Sequence, residues 1–170
     1  GLAELRKAVA EFYQRKFALN IEPRRIVITP GASGAIQLAI SSLLDAGDNI
    51  LLADPGYPCN RNIAQVLAAD TISAPVAADS YYQLNSELVT KHWNDRTRAA
   101  MVATPSNPTG TLLPRQQLQS LFQTVEQKKG TLIVDEIYQG LVYDEKDYTA
   151  LEVSDECFVI NSFSKYFGMT

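Results

Sequence analysis

The chain has 170 residues, of which 46% are hydrophobic and 20% are charged, with a net charge of -4 at pH 7 and a pI near 5.0. This length suffices to bury one core, so we expect one domain. The acidic balance excludes the clustered Lys and Arg that nucleic acids and acidic membranes require, and it favours a small-molecule partner. Cys59 and Cys157 lack the spacing of a disulfide framework or a zinc site, so we expect no metal and a reducing, cytoplasmic location.

The two ends of the chain predict a fragment of a longer protein. Residues 1–17 mix charges with apolar positions, which excludes the uncharged core of a secretory signal. No apolar run approaches the ~20 residues that a membrane-spanning helix requires. The chain opens on Gly1 within a predicted helix and stops at Thr170, just after its most informative motif.

Helical and strand patterns alternate along the chain. Apolar residues recur at helical spacing over 2–17, which predicts an amphipathic helix. Apolar or β-branched runs then predict strands at 26–29, 50–53, 71–75, 99–104, 132–135 and 158–161. Helices are predicted between them at 35–44, 58–69, 86–92 and 115–128. The alternation predicts an α/β fold, a mostly parallel sheet with helices on both faces, whose site lies at the carboxyl ends of the strands.

The first motif is the string G-A-S-G at 31–34, between the predicted strand 26–29 and the helix predicted to begin near Ala35. Small residues let backbone N–H groups approach a phosphate, and a helix N-terminus adds its positive end. The Ser33 hydroxyl can donate a further hydrogen bond. An ordinary strand-to-helix turn is an equally good interpretation of this string alone.

Two rigid turns follow later strands. The string D-P-G-Y-P at 54–58 would present the ring of Tyr57, and a planar heterocycle can stack on such a ring. In P-S-N-P-T-G at 105–110, Pro108 keeps Asn107 out of helical geometry, so the Asn107 amide can point into a crevice. Either string alone could be a plain turn, although the second is long enough to be fairly specific.

The last motifs pair an acid with an amine. Asp135 opens D-E-I-Y at the end of a buried strand, where a carboxylate needs a cationic partner. Lys165 closes S-F-S-K at 162–165 among aromatic neighbours, where we expect desolvation to make its amine a competent nucleophile. The alternatives are an Asp135 that caps a helix or pairs with a surface Arg, and a solvated Lys165.

Together the strings G-A-S-G, D-P-G-Y-P, P-S-N-P-T-G, D-E-I-Y and S-F-S-K resemble the large domain of fold type I pyridoxal-phosphate (PLP) enzymes, specifically the class I/II aminotransferases. The resemblance spans about Gly31 to Lys165. It implies that pyridoxal 5'-phosphate is the cofactor. It also implies that the catalytic residues are Lys165, Asp135 and Tyr138, with Lys165 forming the Schiff base.

The resemblance further implies a role for each motif residue. Gly31, Ala32 and Ser33 would cradle the cofactor phosphate, Ser162 would be a further phosphate ligand, and Ser164 would flank the lysine. Tyr57 would stack on the pyridine ring, and Asp135 would pair with the ring nitrogen. The residues implied to contact the ring oxygen O3' are Asn107 and Tyr138.

An aminotransferase moves an amino group between an amino acid and a 2-oxo acid, and this is the expected activity. Residues 1–170 would be a partial PLP-binding large domain, with the C-terminal small domain absent. Two arginines typical of the family, for the cofactor phosphate and the substrate carboxylate, would fall beyond Thr170. The full-length form is expected to be a homodimer, and the fragment alone could be inactive.

Other functions stay open at this point. A carbon-sulfur lyase or an aminocyclopropane-carboxylate-synthase-like enzyme would share the same cofactor residues, and a cofactor-free fragment is the non-enzyme alternative. The string at 31–35 is one residue short of the G-x-S-x-G elbow, so an α/β-hydrolase could use Ser33 with His92, although a solvated surface position is the simpler interpretation of His92. Ser162-x-x-Lys165 also matches a penicillin-binding nucleophile motif, but no K-T-G or S-D-N accompanies it.

Overall fold

The structure, a computed structural model of the chain, describes residues 1–169. The α-helices are α1 (Ala3–Phe17), α2 (Gly31–Leu43), α3 (Pro58–Val66), α4 (Ser86–His92) and α5 (Arg115–Gln127). The β-strands are β1 (Asn49–Asp54), β2 (Asp70–Pro75), β3 (Thr97–Ala103), β4 (Thr131–Asp135) and β5 (Phe158–Ile160). Within the described residues, no helix combines the length and apolar character needed to cross a bilayer.

The strands form one parallel sheet in the order β2-β1-β3-β4-β5. Consecutive parallel strands require a crossover, and α3, α4 and α5 provide three of these connections. The predicted α/β fold with a mostly parallel sheet is therefore confirmed.

Alternation along the strands divides the core between the two faces of the sheet. In β1, Ile50 and Leu52 enter one cluster while Leu51 enters the other. The helix residues buried in the first cluster come from α2 and α3 and are Ile36, Ala39, Ile40 and Ala64. Those in the second come from α4 and α5 and are Val89, Leu118, Leu121 and Val125. Helices therefore cover both faces, as the sequence predicts.

The prediction of a strand at 26–29 is wrong. Ile26 is extended, with φ -98° and ψ 121°, but 26–29 pairs with no strand of the described chain, and Val27 is 63% exposed. β-Branched residues fit a pleated surface but do not supply the hydrogen-bonded neighbour that a strand needs. In addition, α2 begins at Gly31 rather than near Ala35, so G-A-S-G forms its first turn.

The topology gathers the motifs at one side of the sheet. The chain leaves β1 for β2 on one side and later places β3 on the other, so a crevice opens where the strand order reverses. We call this side, at the carboxyl ends of the strands, the carboxyl edge. The motif segments 54–58, 105–110, 135–138 and 161–165 all follow strands there.

The opposite side, at the start of the strands, is the amino edge, and side-chain hydrogen bonds close it. The buried Asn49 accepts a hydrogen bond from the Thr97 hydroxyl at 2.6 Å, and its own amide donates to Asn94 at 3.4 Å. The Arg98 guanidinium lies 3.1 Å from the Asp48 carboxylate. Each of these side chains at the amino edge therefore has a partner within the protein.

Candidate active site

A cleft of about 210 Å³ opens at the carboxyl edge. Its walls come from α2 and from the segments that follow β1, β3, β4 and β5. The lining residues are Ala32, Ser33, Ile36, Tyr57, Ala103, Pro105, Asn107, Asp135, Ile137, Tyr138, Ser164 and Lys165. The structure thus brings together eight of the ten residues that the sequence assigns to the cofactor. Gly31 and Ser162 lie next to the cleft in the chain but do not line it.

The first turn of α2 points its N-terminus at the cleft. Gly31 has φ 71°, a conformation that favours glycine, and apart from its chain neighbours and the backbone of α2 no atom of the described residues lies within 4 Å of the place where a Cβ would stand. Pro30, which precedes the helix, provides no side-chain hydrogen bond to cap it. The first N–H groups of a helix have no partner within the helix, so this turn can bind an anion, with Ser33 exposed beside it.

Tyr57 stands at the mouth of the cleft between β1 and α3. Its side chain is 43% exposed, so one face of the ring is free to stack on a ligand. A hydrogen bond with the Cys59 thiol raises the pKa of the Tyr57 phenol. Tyr57 therefore offers an open ring face at the mouth of the cleft.

The loop that holds Asn107 is closed on itself. Ser106 accepts a hydrogen bond from the Gly110 N–H at 2.9 Å and donates its own N–H to the Thr111 carbonyl at 2.9 Å. The buried Gln83 braces this loop, since its amide donates to the Ala103 carbonyl at 3.0 Å. The result is a fixed turn from which the half-buried Asn107 lines the cleft.

Asp135, the last residue of β4, is a buried acid that forms no ion pair within the described residues. The residue is 7% exposed, and one carboxylate oxygen accepts the Ile137 N–H at 3.0 Å. None of the ion pairs formed within residues 1–169 includes Asp135. Burial raises the pKa of Asp135 to about 6, and the Ile137 hydrogen bond only partly opposes this rise. The carboxylate would therefore gain from a cationic ligand.

Lys165 reaches the same cleft from the segment after β5. Its ammonium lies 5.6 Å from the centre of the Tyr138 ring. The Ser162 hydroxyl forms hydrogen bonds with the Ser164 hydroxyl at 2.8 Å and the Ser164 N–H at 3.1 Å, which ties the turn before the lysine. Ser162 therefore supports the turn, while Ser164 and Lys165 contribute to the cleft wall.

The expected desolvation of Lys165 by aromatic neighbours is wrong for this structure, because Lys165 is exposed. The neighbouring rings pack elsewhere. Phe167 contacts Phe12 of α1 with ring centres 5.5 Å apart, and Tyr166 packs edge-on against Phe167 at 5.1 Å. Sequence adjacency does not decide which way a ring turns, and here α1 provides the better packing surface.

Four lining residues were missed by sequence reasoning, namely Ile36, Ala103, Pro105 and Ile137. Two of them carried a usable signal. Ile36 lies three residues after Ser33 and so shares its face of α2. Ala103 ends β3 directly beside Asp135 in the sheet register, a pairing that becomes visible only with the strand order.

The α/β-hydrolase interpretation does not fit the structure. Ser33 lies within the first turn of α2 and follows no strand, so the strained strand-to-helix elbow is missing from this place. His92 ends α4 and precedes β3, which puts it near the amino edge, away from Ser33. It is half-buried rather than solvated. Within the described chain, no cluster of three or more His, Cys, Asp or Glu side chains could hold a metal.

Comparison with known proteins identifies the family. The model of the family described as "Aminotransferase class I and II" matches residues 1–170. The valine–pyruvate aminotransferase of Mycobacterium tuberculosis is 39% identical over 100% of this chain and 44% of its own length. The (5-formylfuran-3-yl)methyl phosphate transaminase of Methanocaldococcus jannaschii is 34% identical over 100% of this chain and 44% of its own length.

The fold supports the same assignment. The crystal structure of an aminotransferase from Mycobacterium tuberculosis superposes with a TM-score of 0.94 at 38% identity, covering 99% of this chain and 46% of that one. The chain belongs to the class I and II aminotransferase family, whose members depend on pyridoxal phosphate. It spans about 44% of the length of the curated relatives described above.

Proposed function

We propose that this chain forms the cofactor-binding part of a PLP-dependent aminotransferase, which moves an amino group between an amino acid and a 2-oxo acid. The observation that carries the proposal is the buried Asp135 carboxylate, which forms no ion pair within residues 1–169 and shares one cleft with Lys165 and the N-terminus of α2. Residues 1–170 would then be a partial large domain. The homodimer and the cytoplasmic location stay predictions of the sequence.

The groups around the cleft fit pyridoxal phosphate. The open first turn of α2 at Gly31 and the exposed Ser33 hydroxyl suit a phosphate. The exposed ring of Tyr57 suits a planar heterocycle, and the buried Asp135 suits a protonated ring nitrogen. The exposed amine of Lys165 suits an aldehyde.

When bound, pyridoxal phosphate supplies an aldehyde that amines can attack and a ring that accepts the electron pair left at Cα. Asp135 would hold the proton on the ring nitrogen. Asn107 and Tyr138 would donate hydrogen bonds to the ring oxygen. Lys165 would anchor the cofactor and, once released by an incoming amino acid, take the α-proton at its Nζ atom.

The cofactor site can be tested by chemical trapping. The protein is incubated with pyridoxal phosphate and reduced with borohydride, and the modified residue is located by peptide mass mapping. The proposal predicts label concentrated on Lys165. Label scattered over surface lysines would contradict the cofactor site.

The first half of the reaction, in which the amino donor becomes a 2-oxo acid, can be tested separately. The amino donor to try first is valine, because valine and pyruvate stand in the name of the 39% identical relative. PLP-loaded protein mixed with an excess of valine should release the 2-oxo acid in an amount equal to the loaded sites, and pyruvate should then regenerate the starting absorbance. Stable loading of Lys165 without release of a 2-oxo acid from any amino acid would refute aminotransfer by this chain while leaving the cofactor site intact.

A further inference from the structure

A chain of buried and half-buried polar side chains leads to the segment that carries Lys165. It begins at Glu136, next to the candidate ring-nitrogen partner Asp135, and continues through Gln139 to Asn161. Glu136 and Gln139 are 1% and 4% exposed. None of Glu136, Gln139 and Asn161 lines the cleft, so the proposed chemistry does not use them directly.

The first link fixes the orientation of the Gln139 amide. Its Nε2 atom donates to Glu136 Oε2 at 2.7 Å and to the Tyr148 carbonyl oxygen at 3.1 Å. A backbone carbonyl can only accept a hydrogen bond, so the NH2 group of the Gln139 amide must face Tyr148 and Glu136. The Gln139 Oε1 atom is thereby turned towards Asn161, whose Nδ2 donates to it at 3.1 Å.

The second link passes this orientation to the lysine segment. Asn161 Nδ2 also donates to the Tyr13 hydroxyl at 3.2 Å, so the NH2 group of the Asn161 amide faces the interior. Its Oδ1 atom therefore faces outward and accepts the Ser162 N–H at 2.7 Å. The Ser162 hydroxyl in turn accepts the Ser164 N–H at 3.1 Å, immediately before Lys165.

Helix α1 supports the same segment from the other side. Tyr13, which is 6% exposed, closes the network through its hydroxyl. Lys16 lies 2.5 Å from the Asp147 carboxylate and 4.8 Å from the centre of the Tyr166 ring. Tyr166 follows Lys165 directly, so α1 contacts one neighbour of the lysine, while the other neighbour, Ser164, is held by Ser162 of the same turn.

We infer that the Glu136–Gln139–Asn161–Tyr13 network is a positioning device that fixes the turn at 162–165 and so presents Lys165 to the cleft. Asn161 is its central positioning residue, because it is the one member bonded to Gln139, Tyr13 and the Ser162 backbone together. The inference concerns the conformation of the turn. The further step, that this conformation helps Lys165 to attach the cofactor, rests on the proposed function.

The test compares Asn161→Ala with Asn49→Ala. Both changes remove an asparagine side chain with hydrogen bonds inside the fold, but Asn49 lies at the amino edge, away from Lys165. Two quantities are measured in each variant: the hydrogen exchange rate of the Ser164 amide and the rate at which PLP plus borohydride labels Lys165. Tyr13→Phe keeps the ring and removes only the hydroxyl, so the same two rates measured in this variant test the positioning role if Asn161→Ala does not fold.

The inference predicts that Asn161→Ala speeds Ser164 exchange and slows Lys165 labelling, each by about tenfold or more, since small misplacements of a reacting group have large effects on rate. Asn49→Ala should lower the melting temperature and change neither rate, and Tyr13→Phe should give a smaller change in the direction of Asn161→Ala. Wild-type rates in both Asn161→Ala and Tyr13→Phe would overturn the inference.

The two proposals fail in different ways. Absence of Lys165 label in the wild type would refute the cofactor site, and Ser164 exchange would still decide the positioning role. Faster Ser164 exchange in Asn161→Ala than in both wild type and Asn49→Ala supports that role, and equal rates overturn it.

Discussion

The two edges of the parallel sheet differ in whether their polar side chains have partners within the protein. At the amino edge, Asn49 is hydrogen-bonded to Thr97, and Arg98 is paired with Asp48. At the carboxyl edge, the buried Asp135 has a raised pKa and takes part in no ion pair within residues 1–169. Paired groups such as Asn49 and Arg98 are satisfied within the protein, whereas a buried carboxylate with no paired charge, such as Asp135, is a candidate ligand site.

The largest expected effect comes from removing the amine at the carboxyl edge. Lys165→Ala should lose the PLP label completely, because no other lysine shares its cleft among the lining residues. Lys128→Ala is the matched control, since Lys128 is an exposed lysine between α5 and the start of β4 at the amino edge. The readout is peptide mass mapping after borohydride reduction. Unchanged labelling of Lys165→Ala, or loss of label in Lys128→Ala, would contradict attachment of the cofactor at the carboxyl edge.

The second effect is the pH dependence of stability that Asp135 produces. Its pKa rises from 3.8 to about 6 on folding, so between these pH values the folded chain binds more protons than the unfolded chain. The contribution of this group to stability therefore falls as pH rises through that window, by on the order of 3 kcal/mol.

Asp135→Asn removes this penalty, so the ligand-free variant should be more stable than wild type above pH 6 and nearly equal to it below pH 4. Urea unfolding at several pH values measures the difference. The buried Glu136 titrates in both proteins, and the Asp135 charge is the smallest of the causes that raise the Glu136 pKa, so the comparison reports mainly on Asp135. Addition of pyridoxal phosphate should stabilise wild type more than the variant, and equal stabilisation would refute the pairing with the ring nitrogen.

A third effect tests the buried network next to the site. Burial raises the pKa of Glu136 to about 8, while hydrogen bonds from the Ala150 N–H and the Thr149 hydroxyl oppose the rise. Glu136 Oε1 accepts the Ala150 N–H at 2.5 Å and Oε2 accepts Gln139 Nε2 at 2.7 Å. At pH 7 the Glu136 carboxyl is mostly protonated and carries one hydrogen, whereas the NH2 group of Glu136→Gln carries two and must face one of these donors. The expected loss is about 1–3 kcal/mol in the free energy of unfolding.

Urea unfolding at pH 7 checks this loss against Glu126→Gln, a surface change at an exposed position of α5. The surface variant should match wild type. Equal stability of Glu136→Gln and Glu126→Gln would show that the donors around Glu136 do not constrain it.

A fourth effect contrasts two glycines. Gly140 has φ 90°, and a Cβ there would stand 2.4 Å from the Tyr166 ring, beside Lys165. Gly140→Ala should cost about 1–2 kcal/mol and slow the labelling of Lys165. A Cβ on Gly130 would stand 2.3 Å from the Trp93 ring at the amino edge, so Gly130→Ala should cost about 1–3 kcal/mol without altering labelling. Equal labelling rates in the two variants would contradict the separation of the edges.

Sequence periodicity predicted most of the fold because buried parallel strands and their crossover helices leave strong local patterns. It failed at 26–29, where the residues suit a strand but have no neighbouring strand in the described chain. It placed the start of α2 too late because glycine is a poor helix former in the interior, whereas the first turn, at Gly31, tolerates it.

The residues of the cleft could also be predicted in part, because they follow strands with strong local patterns. Motifs that end strands must meet at the carboxyl edge, which is why Tyr57, Asn107 and Asp135 line one cleft. The packing around them depends on distant segments. The contact of Asn161 with Tyr13 joins residues 148 positions apart, and no local pattern reveals it.

Titration of the Asp135 carboxyl by carbon NMR, with Asp135→Asn used to assign the signal, tests whether this carboxylate is completed by a cationic ligand. Without ligand we expect a pKa near 6, because the carboxyl is buried without an ion-pair partner. With pyridoxal phosphate bound, the pKa should fall below its ordinary value, since a protonated ring nitrogen then faces the carboxylate. A pKa that stays the same with and without the cofactor would contradict the claim that the carboxyl edge is completed by this ligand.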